Sequence, residues 1–320
     1  MTTTETEMTT TRHPLDERDR AVMAAMRPLL AGVKGSVNGP EARGPFDGLM
    51  EHVPAATGVT YAAAEVGGVS GWWCRPEGAS TGAAILYHHG GAYIVGSARA
   101  YRHFVGQIAA RAKLDAFVPD YRLGPEHVFP AAPEDALAAY EGLARQGLAS
   151  IVLAGDSAGG GLTLVLLSLA AAKARAGTGL RPAGAAVISA WTDLALSGAS
   201  MATRAEADPL STKASLAAAA KLYLSGRDPR DPMASPLYGD LADLPPVVMH
   251  VGEDDVLLED ALRYGERFES AGGAIQVHAW EGMIHVFPSN VAELKAAPEA
   301  LDQIGNFLRE QALASLRRKD

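Results

Sequence analysis

Short runs of β-branched and other apolar residues alternate along most of the chain with longer segments in which apolar residues recur at helical spacing. The short runs predict strands at 83–88, 115–119, 151–154, 183–189, 246–251 and 274–279. The longer segments predict helices at 99–113, 133–146, 162–175, 259–271 and 291–313. Regular alternation of strand and helix is typical of an α/β fold, a mostly parallel sheet with helices on both faces.

The N-terminal part of the chain departs from this alternation. Residues 1–12 are polar and rich in threonine, and we predict no regular structure there. Apolar residues recur at helical spacing over 16–31, which predicts a helix. Residues 32–58 are rich in glycine and proline, so they are predicted to be irregular apart from a short helix over 46–51.

A β-hairpin and one long insertion complete the predicted layout. Two runs at 59–65 and 69–75, separated by a pair of glycines, predict the hairpin. The insertion, about 191–244, separates two predicted strands and contains one helical segment, 212–224, among proline, aspartate and serine residues. Insertions of this length between two strands usually form a lid or cap.

Charge and cysteine content exclude several classes of function. With 28 basic and 37 acidic residues the net charge is −9, so the chain lacks the basic surface that nucleic acid or an anionic membrane requires. Cys74 is the one cysteine, which excludes an internal disulfide and a cysteine-based metal site. The polar N-terminus and the absence of a run of 18 apolar residues predict no signal peptide and no membrane span, and hence a cytoplasmic protein.

A serine in a glycine-rich turn is the strongest chemical signal. The strand at 151–154 leads into Gly155-Asp156-Ser157-Ala158-Gly159, and an apolar segment at 162–172 follows. A strand, a sharp turn and a helix around a G-x-S-x-G sequence are typical of a nucleophile elbow, in which glycines leave room for the flanking elements. The helix N-terminus also places partial positive charge where negative charge develops. We therefore predict that Ser157 is a nucleophile.

A serine nucleophile needs a base that removes its proton and an acid that orients the base. Three histidines follow Ser157 in the sequence. His250 and His278 lie inside apolar strand runs, where packing or solvation explains them. His285 follows the last predicted strand in a loop that can reach the elbow, so we predict that it is the base.

Two adjacent aspartates compete for the role of the acid. Asp254 and Asp255 follow the strand at 246–251, at the carboxyl edge where catalytic groups gather in open parallel sheets. Either aspartate could instead cap the helix that begins near Leu258. The residues alone do not separate the two.

The turn at 87–93 is the predicted oxyanion loop. An oxyanion hole requires backbone N–H groups directed at the developing charge. This small-residue turn follows a strand, as in HGGG-type loops, and Ala158, the residue after the nucleophile, supplies another N–H. A metal site at His88 and His89 is the rival interpretation. Adjacent strand residues face opposite sides of a sheet, and no nearby cysteine or aspartate completes a ligand set, so we predict no metal site.

Four motifs in this order resemble the bacterial hormone-sensitive-lipase-like esterases. They lie at 89–93 (HGGAY), 120–127 (DYRLGPEH), 155–160 (GDSAGG) and 282–285 (GMIH). The resemblance extends from about residue 59 to the C-terminus. Residues 203–209 and 250–252 resemble a branch of the family that is associated with ε-lactone hydrolysis as well as with simple esters.

The resemblance implies an α/β-hydrolase fold with a catalytic triad of Ser157, His285 and Asp255. Asp255 matches the family because Val256 and Leu257 follow it and because it lies 30 residues before His285. The implied oxyanion hole consists of backbone N–H groups at Gly90, Gly91, Ala92 and Ala158.

By the same resemblance a helical cap covers the triad. It comprises residues 1–55 and the insertion at about 191–244, while residues 56–320 form the catalytic domain. The residues proposed for the pocket wall are Tyr93, Trp191, Leu210 and Tyr223. Residues 120–122 and Asp156 are implied to be structural, with the charges of 120–122 in a buried pair. A homodimer contact is expected at 274–313.

Together these observations predict a serine carboxylic-ester hydrolase that acts through an acyl-enzyme, without a metal or organic cofactor. The resemblance implies short-chain acyl esters as its substrates, because a cap limits the depth of the pocket. Its activity is expected to rise with pH through a histidine pKa of about 6.5, shifted by the acid partner. A lactone hydrolase or a deacetylase of a small molecule is the alternative with the same chemistry. A non-catalytic small-molecule receptor of this fold would lack the triad histidine, and a lipase acting at a lipid interface would require an exposed apolar lid.

Overall fold

The computed structural model describes residues 10–318. In that part of the chain nine strands form a single sheet. The strands are β1 (Thr10–His13), β2 (Val59–Val66), β3 (Val69–Pro76), β4 (Ala83–His88), β5 (Asp115–Pro119), β6 (Ser150–Asp156), β7 (Ala185–Ile188), β8 (Val247–Gly252) and β9 (Ile275–Trp280). Their order across the sheet is β1-β9-β8-β7-β6-β4-β5-β3-β2, with antiparallel pairing at β2–β3 and β3–β5 and parallel pairing elsewhere. The predicted mostly parallel sheet is confirmed.

Helices connect the strands and cover both faces of the sheet. They are α1 (Glu17–Leu30), α2 (Arg43–Glu51), α3 (Ala98–Ala112), α4 (Ala131–Arg145), α5 (Ser157–Arg175), α6 (Ser200–Thr203), α7 (Lys213–Leu224), α8 (Leu258–Ser270) and α9 (Ala296–Arg317). Each predicted helix is present, and its ends lie within five residues of the predicted ones.

Successive side chains of the central strands pack into two separate hydrophobic cores, one on each face of the sheet. In β4, Leu86 packs with residues of α4 and α5, whereas Ile85 and Tyr87 pack with residues of α3 and α9 on the opposite face. Because both faces are covered, every residue of β4 and of β6 is buried. This double coverage explains why the two strands appear in the sequence as apolar runs without polar alternation.

The N-terminal segment contains a strand that the sequence pattern does not predict. Thr10–His13 pairs in parallel with β9, so the prediction of irregular structure over residues 1–12 is wrong for residues 10–12, and residues 1–9 lie outside the described part. His13 Nε2 lies 2.9 Å from His278 Nδ1, and the His13 ring stacks on Trp280. The partners of this short polar strand are distant in the sequence, and no local pattern reveals them.

Helix α9 begins at Ala296, five residues after its predicted start. Its first turn is capped by another helix, because Asp19 of α1 accepts the backbone N–H groups of Lys295 and Ala296 at 2.7 and 2.8 Å. A side-chain oxygen at this position satisfies N–H groups that have no partner within the helix. A cap from so distant a residue cannot be read from the local sequence.

The insertion at about 191–244 lies against the N-terminal segment. Its helix α7 begins where predicted, and Thr212 and Ser215 form a reciprocal capping box there. The Gly35 N–H donates to the carbonyl of Leu210 at 2.7 Å, and Lys34 Nζ donates to a neighbouring carbonyl of the insertion at 2.7 Å. The two segments that were predicted to form a cap are therefore in direct contact.

Helix α5 is the one helix within residues 10–318 that is long and apolar enough to cross a membrane. In its most apolar window 72% of the residues are buried inside the protein. Burial of this extent is typical of a core helix, and α5 packs against the central strands of the sheet.

Candidate active site

Ser157 lies at the junction of β6 and α5, where the backbone turns sharply. Its φ of +53° is in the left-handed region, which is strained for a residue other than glycine. Glycine is required on both sides of it. A Cβ at Gly159 would overlap the carbonyl oxygens of His88 and His89. A Cβ at Gly155 would overlap the first turn of α5. The elbow therefore depends on the G-x-S-x-G pattern for steric reasons.

The structure brings three of the predicted residues into one hydrogen-bonded chain. Ser157 Oγ lies 2.9 Å from Nε2 of His285, and His285 Nδ1 lies 2.9 Å from Oδ2 of Asp255. The Asp255 side chain is fully buried, and that of His285 is 14% exposed. A hydroxyl, an imidazole and a carboxylate in this order can transfer the serine proton to the imidazole.

Asp254 and Asp255 occupy different environments, although they are neighbours in the sequence. Asp254 is 26% exposed and pairs with the guanidinium of Arg27. Asp255 faces His285 with one carboxylate oxygen and accepts the N–H of Leu257 at 2.8 Å with the other. The geometry therefore distinguishes the two aspartates, which residue types alone leave equivalent.

The turn after β4 lies against the N-terminus of α5, as the predicted oxyanion loop must. Within residues 10–318 the backbone N–H groups of Gly91, Ala92 and Ala158 donate no hydrogen bond, so they are free to bind an oxyanion. Gly90 differs from the expectation, because its N–H donates to Oδ1 of Asp156 at 3.0 Å. The Gly90 N–H is therefore not available to an oxyanion, and its bond to Asp156 holds the loop in place.

Asp156 connects the oxyanion loop to the surrounding core. Its buried carboxylate accepts hydrogen bonds from the hydroxyl groups of Tyr87 and Tyr101 at 2.8 and 3.1 Å. Burial raises the pKa of Asp156 to about 6, although these hydrogen bonds favour the ionised form. The structural role that the resemblance implies for this residue agrees with these contacts.

Residues 120–122 make structural contacts, but their charges do not form the expected buried pair. Asp120 accepts the backbone N–H of Ala98 at 2.6 Å and so caps α3. The Arg122 side chain is 42% exposed and pairs with Asp135 and Glu134. The expectation of a buried pair is therefore wrong, because each charge has a separate partner from α3 or α4.

His88 and His89 are engaged in separate contacts. His88 Nδ1 lies 2.9 Å from Thr163 Oγ1, and His89 Nδ1 lies 2.7 Å from the carbonyl of Gly90. Burial lowers the pKa of His88 to about 3 and that of His89 to about 4, so both rings are neutral at physiological pH. Within residues 10–318 no group of three or more His, Cys, Asp or Glu side chains could hold a metal ion.

Comparisons with known proteins agree with this geometry. A family model described as the alpha/beta hydrolase fold matches residues 85–289. An acetyl-hydrolase from Streptomyces hygroscopicus is 41% identical over 246 residues, which cover 76% of this chain and 81% of the relative. An esterase from Acinetobacter venetianus is 31% identical over 266 residues, which cover 82% and 86% of the two chains. The crystal structure of an esterase from the bacterial hormone-sensitive lipase family is 34% identical, covers 93% of this chain and 99% of its own, and has a TM-score of 0.84. This chain belongs to the hormone-sensitive-lipase-like esterases of the α/β-hydrolase fold.

Three of the four predicted pocket residues of the esterase lie together. The rings of Tyr93 and Tyr223 stack with their centroids 4.1 Å apart, and the Trp191 ring lies 6.3 Å from that of Tyr93. The backbone N–H of Trp191 donates to the Ser157 carbonyl at 2.9 Å, which ties the backbone at Trp191 to the elbow, while its indole N–H donates to the carbonyl of Asp193 at 3.1 Å. Leu210 lies apart from them, half-buried against side chains of α1 and of the loop after β9.

The electrostatics of the esterase site shift the pKa of His285. Burial alone would lower it, but the carboxylate of Asp255, with smaller contributions from Asp208 and Asp156, raises it to about 9. The predicted acid, Asp255, therefore raises the pKa of the predicted base, His285, well above its ordinary value. Because His285 must be neutral to accept a proton from Ser157, the raised pKa means that activity appears only at higher pH.

We expect kcat/KM for a simple ester to rise with pH through the pKa of His285 and to level off only above about 9. The imidazole is protonated below that value and cannot act as a base. Initial rates for p-nitrophenyl acetate between about pH 5 and pH 10, corrected for spontaneous hydrolysis, measure this profile. A value of kcat/KM that already levels off at or below about pH 6.5 would show that the carboxylates do not raise the pKa of His285 as the structure indicates.

No sequence pattern points to two residues that lie behind the site, Asp208 and Arg27. Asp208 is buried, and its carboxylate accepts the N–H of Val256 at 3.0 Å, directly after Asp255. Burial, followed by the charge of Asp255, raises the pKa of Asp208. Its only sequence signal is its place in the segment 203–209, which says nothing about its contacts. Arg27 of α1 contacts the same region and has no sequence signal.

Proposed function

We propose that this esterase is a serine carboxylic-ester hydrolase for short acyl groups, with Ser157 as nucleophile, His285 as base and Asp255 as the orienting acid. One observation carries the proposal: the side chains form a continuous hydrogen-bonded chain with 2.9 Å at each step. Family membership supports ester hydrolysis as the reaction, since relatives named acetyl-hydrolase and esterase match over most of their length.

The proposed reaction uses the site in two half-reactions. His285 takes the proton from Ser157 Oγ as that oxygen attacks the ester carbonyl, and Asp255 holds the imidazole with Nε2 free to accept. His285 then gives this proton to the leaving alcohol, and the acyl group remains on the serine. Water releases the acid from the acyl-enzyme by the same route. The N–H groups that bind the oxyanion are those of Gly91, Ala92 and Ala158.

The proposed cap consists of the N-terminal segment up to residue 55 and the insertion at about 191–244, and the proposed catalytic domain is the rest of 56–320. Direct hydrogen bonds of Gly35 and Lys34 to the insertion support this division. Residues 10–13 are an exception, because they pair in the main sheet.

The aromatic cluster of Tyr93, Trp191 and Tyr223 supports a preference for short acyl chains. Each of the three residues is at most 1% exposed, and the backbone N–H of Trp191 donates to the carbonyl of Ser157 in the elbow. Close-packed aromatic rings cannot move aside cheaply for additional methylene groups. A long acyl chain that reached this cluster would therefore have to displace packed side chains.

Hydrolysis of p-nitrophenyl esters from acetate to palmitate tests the proposal. We expect kcat/KM to be highest for acetate to butyrate, to fall at least about tenfold by octanoate and to be undetectable for palmitate, since each poorly fitted methylene costs about 1 kcal/mol or more. ε-Caprolactone is assayed in parallel, because lactone hydrolysis uses the same groups. A folded enzyme that hydrolyses neither esters nor the lactone would contradict the proposal and favour a receptor. A preference for palmitate would contradict the proposed pocket.

Two finer proposals concern location and assembly. We propose a cytoplasmic location, which the buried, unpaired Cys74 supports.

We also propose a homodimer contact within 274–313. Since β9 pairs with β8 on one side and with β1 on the other, the outer face of α9 would supply that contact. Sedimentation as a monomer at micromolar concentration would contradict it.

A further inference from the structure

Arg27, in the last turn of α1, joins three separate segments behind the proposed site. Its guanidinium group donates to the carbonyl of Ala207, to the carbonyl of Gly282 at 3.2 Å and to the carboxylate of Asp254. The Arg27 side chain is 30% exposed, so the contacts are partly shielded from water.

Two of these contacts flank the proposed acid and base. Asp254 directly precedes Asp255, and Gly282 begins the short loop that ends at His285. The backbones of the two loops also meet, because the Asp254 N–H donates to the carbonyl of Met283 at 3.0 Å. Arg27 therefore adds a side-chain bridge across the junction that sets the distance between the carboxylate and the imidazole.

The third contact reaches the same junction from the insertion. Ala207 directly precedes Asp208, and the Asp208 carboxylate accepts the N–H of Val256 at 3.0 Å. Val256 is the residue after Asp255. The turn that carries Asp255 is thus bound on one side by Arg27, through Asp254, and on the other side by Asp208, through Val256. Arg27 also binds the carbonyl of Ala207, the residue before Asp208.

The chemistry of this side chain suits a positioning role better than a role in global stability. A partly exposed ion pair usually contributes little to the free energy of unfolding. The planar guanidinium, however, presents several N–H donors in a rigid fork, so it can set the relative position of three acceptors at once. A lysine at this position would keep the charge but lose the fork.

We propose that Arg27 is a positioning residue that holds the Asp255 turn and the His285 loop in the relative position required for proton transfer. This inference rests on the proposed function. It assigns to the N-terminal helix a part in positioning the groups that carry out the chemistry. Errors of about 1 Å in such an arrangement are enough to lower turnover by about 10².

The variants Arg27→Met and Arg27→Lys test the proposal, with Arg20→Met as the matched control. Arg20 is an exposed arginine of the same helix. With p-nitrophenyl acetate at 25 °C, we expect Arg27→Met to lower kcat by about 10- to 100-fold with little change in KM, and Arg27→Lys to recover part of the loss. Circular dichroism at that temperature checks that each variant is folded. A kcat for Arg27→Met within about twofold of the control, or an effect on KM alone, would overturn the proposal.

A double-variant cycle separates positioning from a general structural effect. If Arg27 acts through Asp255, then Arg27→Met should lower kcat by less than about twofold once Asp255→Asn has already removed the oriented carboxylate. An undiminished loss in the Asp255→Asn background would show that Arg27 acts elsewhere, and it would overturn the proposal.

A spectroscopic measurement keeps the inference testable without ester turnover. The Nδ1 proton of His285, hydrogen-bonded to Asp255, is expected to give a low-field proton NMR signal in the intact protein. We expect that signal to broaden or move upfield in Arg27→Met and to stay in place in Arg20→Met. An unchanged signal in Arg27→Met would overturn the positioning role whether or not the protein hydrolyses esters, so failure of the proposed function remains distinguishable.

Discussion

Replacing Ser157 with alanine is expected to lower kcat for p-nitrophenyl acetate by on the order of 10⁶, to the background of the assay. The substitution removes the only oxygen that is hydrogen-bonded to His285 Nε2 in the described residues. Without it no acyl-enzyme forms, and binding and oxyanion contacts alone give very slow turnover. The substitution removes a single oxygen atom, and alanine is no more strained than serine at this φ. We therefore expect the variant to fold.

Ser168→Ala is the matched control for this experiment. Ser168 lies in the same helix, α5, and its hydroxyl bonds to the carbonyl of Leu164 within that helix. We expect wild-type turnover from this variant. Retention of more than about 1% of wild-type kcat by Ser157→Ala, with matched purity, would require a different nucleophile.

The second large effect is expected at the acid, where Asp255→Asn should lower kcat by about 10⁴. The buried Asp255 carboxylate holds the proton of His285 on Nδ1, whereas an amide can present its NH₂ group and favour the wrong tautomer. The same substitution removes the largest contribution that raises the pKa of His285. The acid limb of the remaining activity should therefore move to lower pH.

The neighbouring substitution Asp254→Asn provides an internal control. Its carboxylate is partly exposed and bonds to Arg27, and the amide oxygen of asparagine can still accept that bond. We expect a loss in kcat of less than about tenfold. Steady-state kinetics of both variants decide between the two aspartates, and a larger loss for Asp254→Asn would assign the acid to Asp254.

The central features of fold and site are predictable because their signals are local. The double coverage of the sheet gives apolar runs at β4 and β6, and the G-x-S-x-G pattern of the elbow spans only five residues, although the steric need for Gly159 comes from the carbonyl groups of His88 and His89. His285 is distinguishable from His250 and His278 because strand patterning assigns the latter two to the sheet. Local patterns therefore predict which residues are available for chemistry.

The parts that the sequence does not reveal depend on distant contacts. Strand β1 forms by pairing with β9, which is distant in the sequence. Helix α9 starts at Ala296, where Asp19 of α1 accepts the backbone N–H. The Gly90 N–H is occupied by Asp156, which turns an expected oxyanion donor into an anchor. Such assignments need the positions of both partners, and spacing along the chain does not supply them.

The most direct test is to identify the nucleophile by covalent labelling. The purified enzyme is treated with a fluorophosphonate ester, which modifies activated serines, and the labelled peptide is sequenced by mass spectrometry. We expect one adduct, on Ser157, that forms faster as pH rises and is absent from Ser157→Ala. An adduct on another residue, or full ester turnover by an enzyme that takes no label, would contradict it.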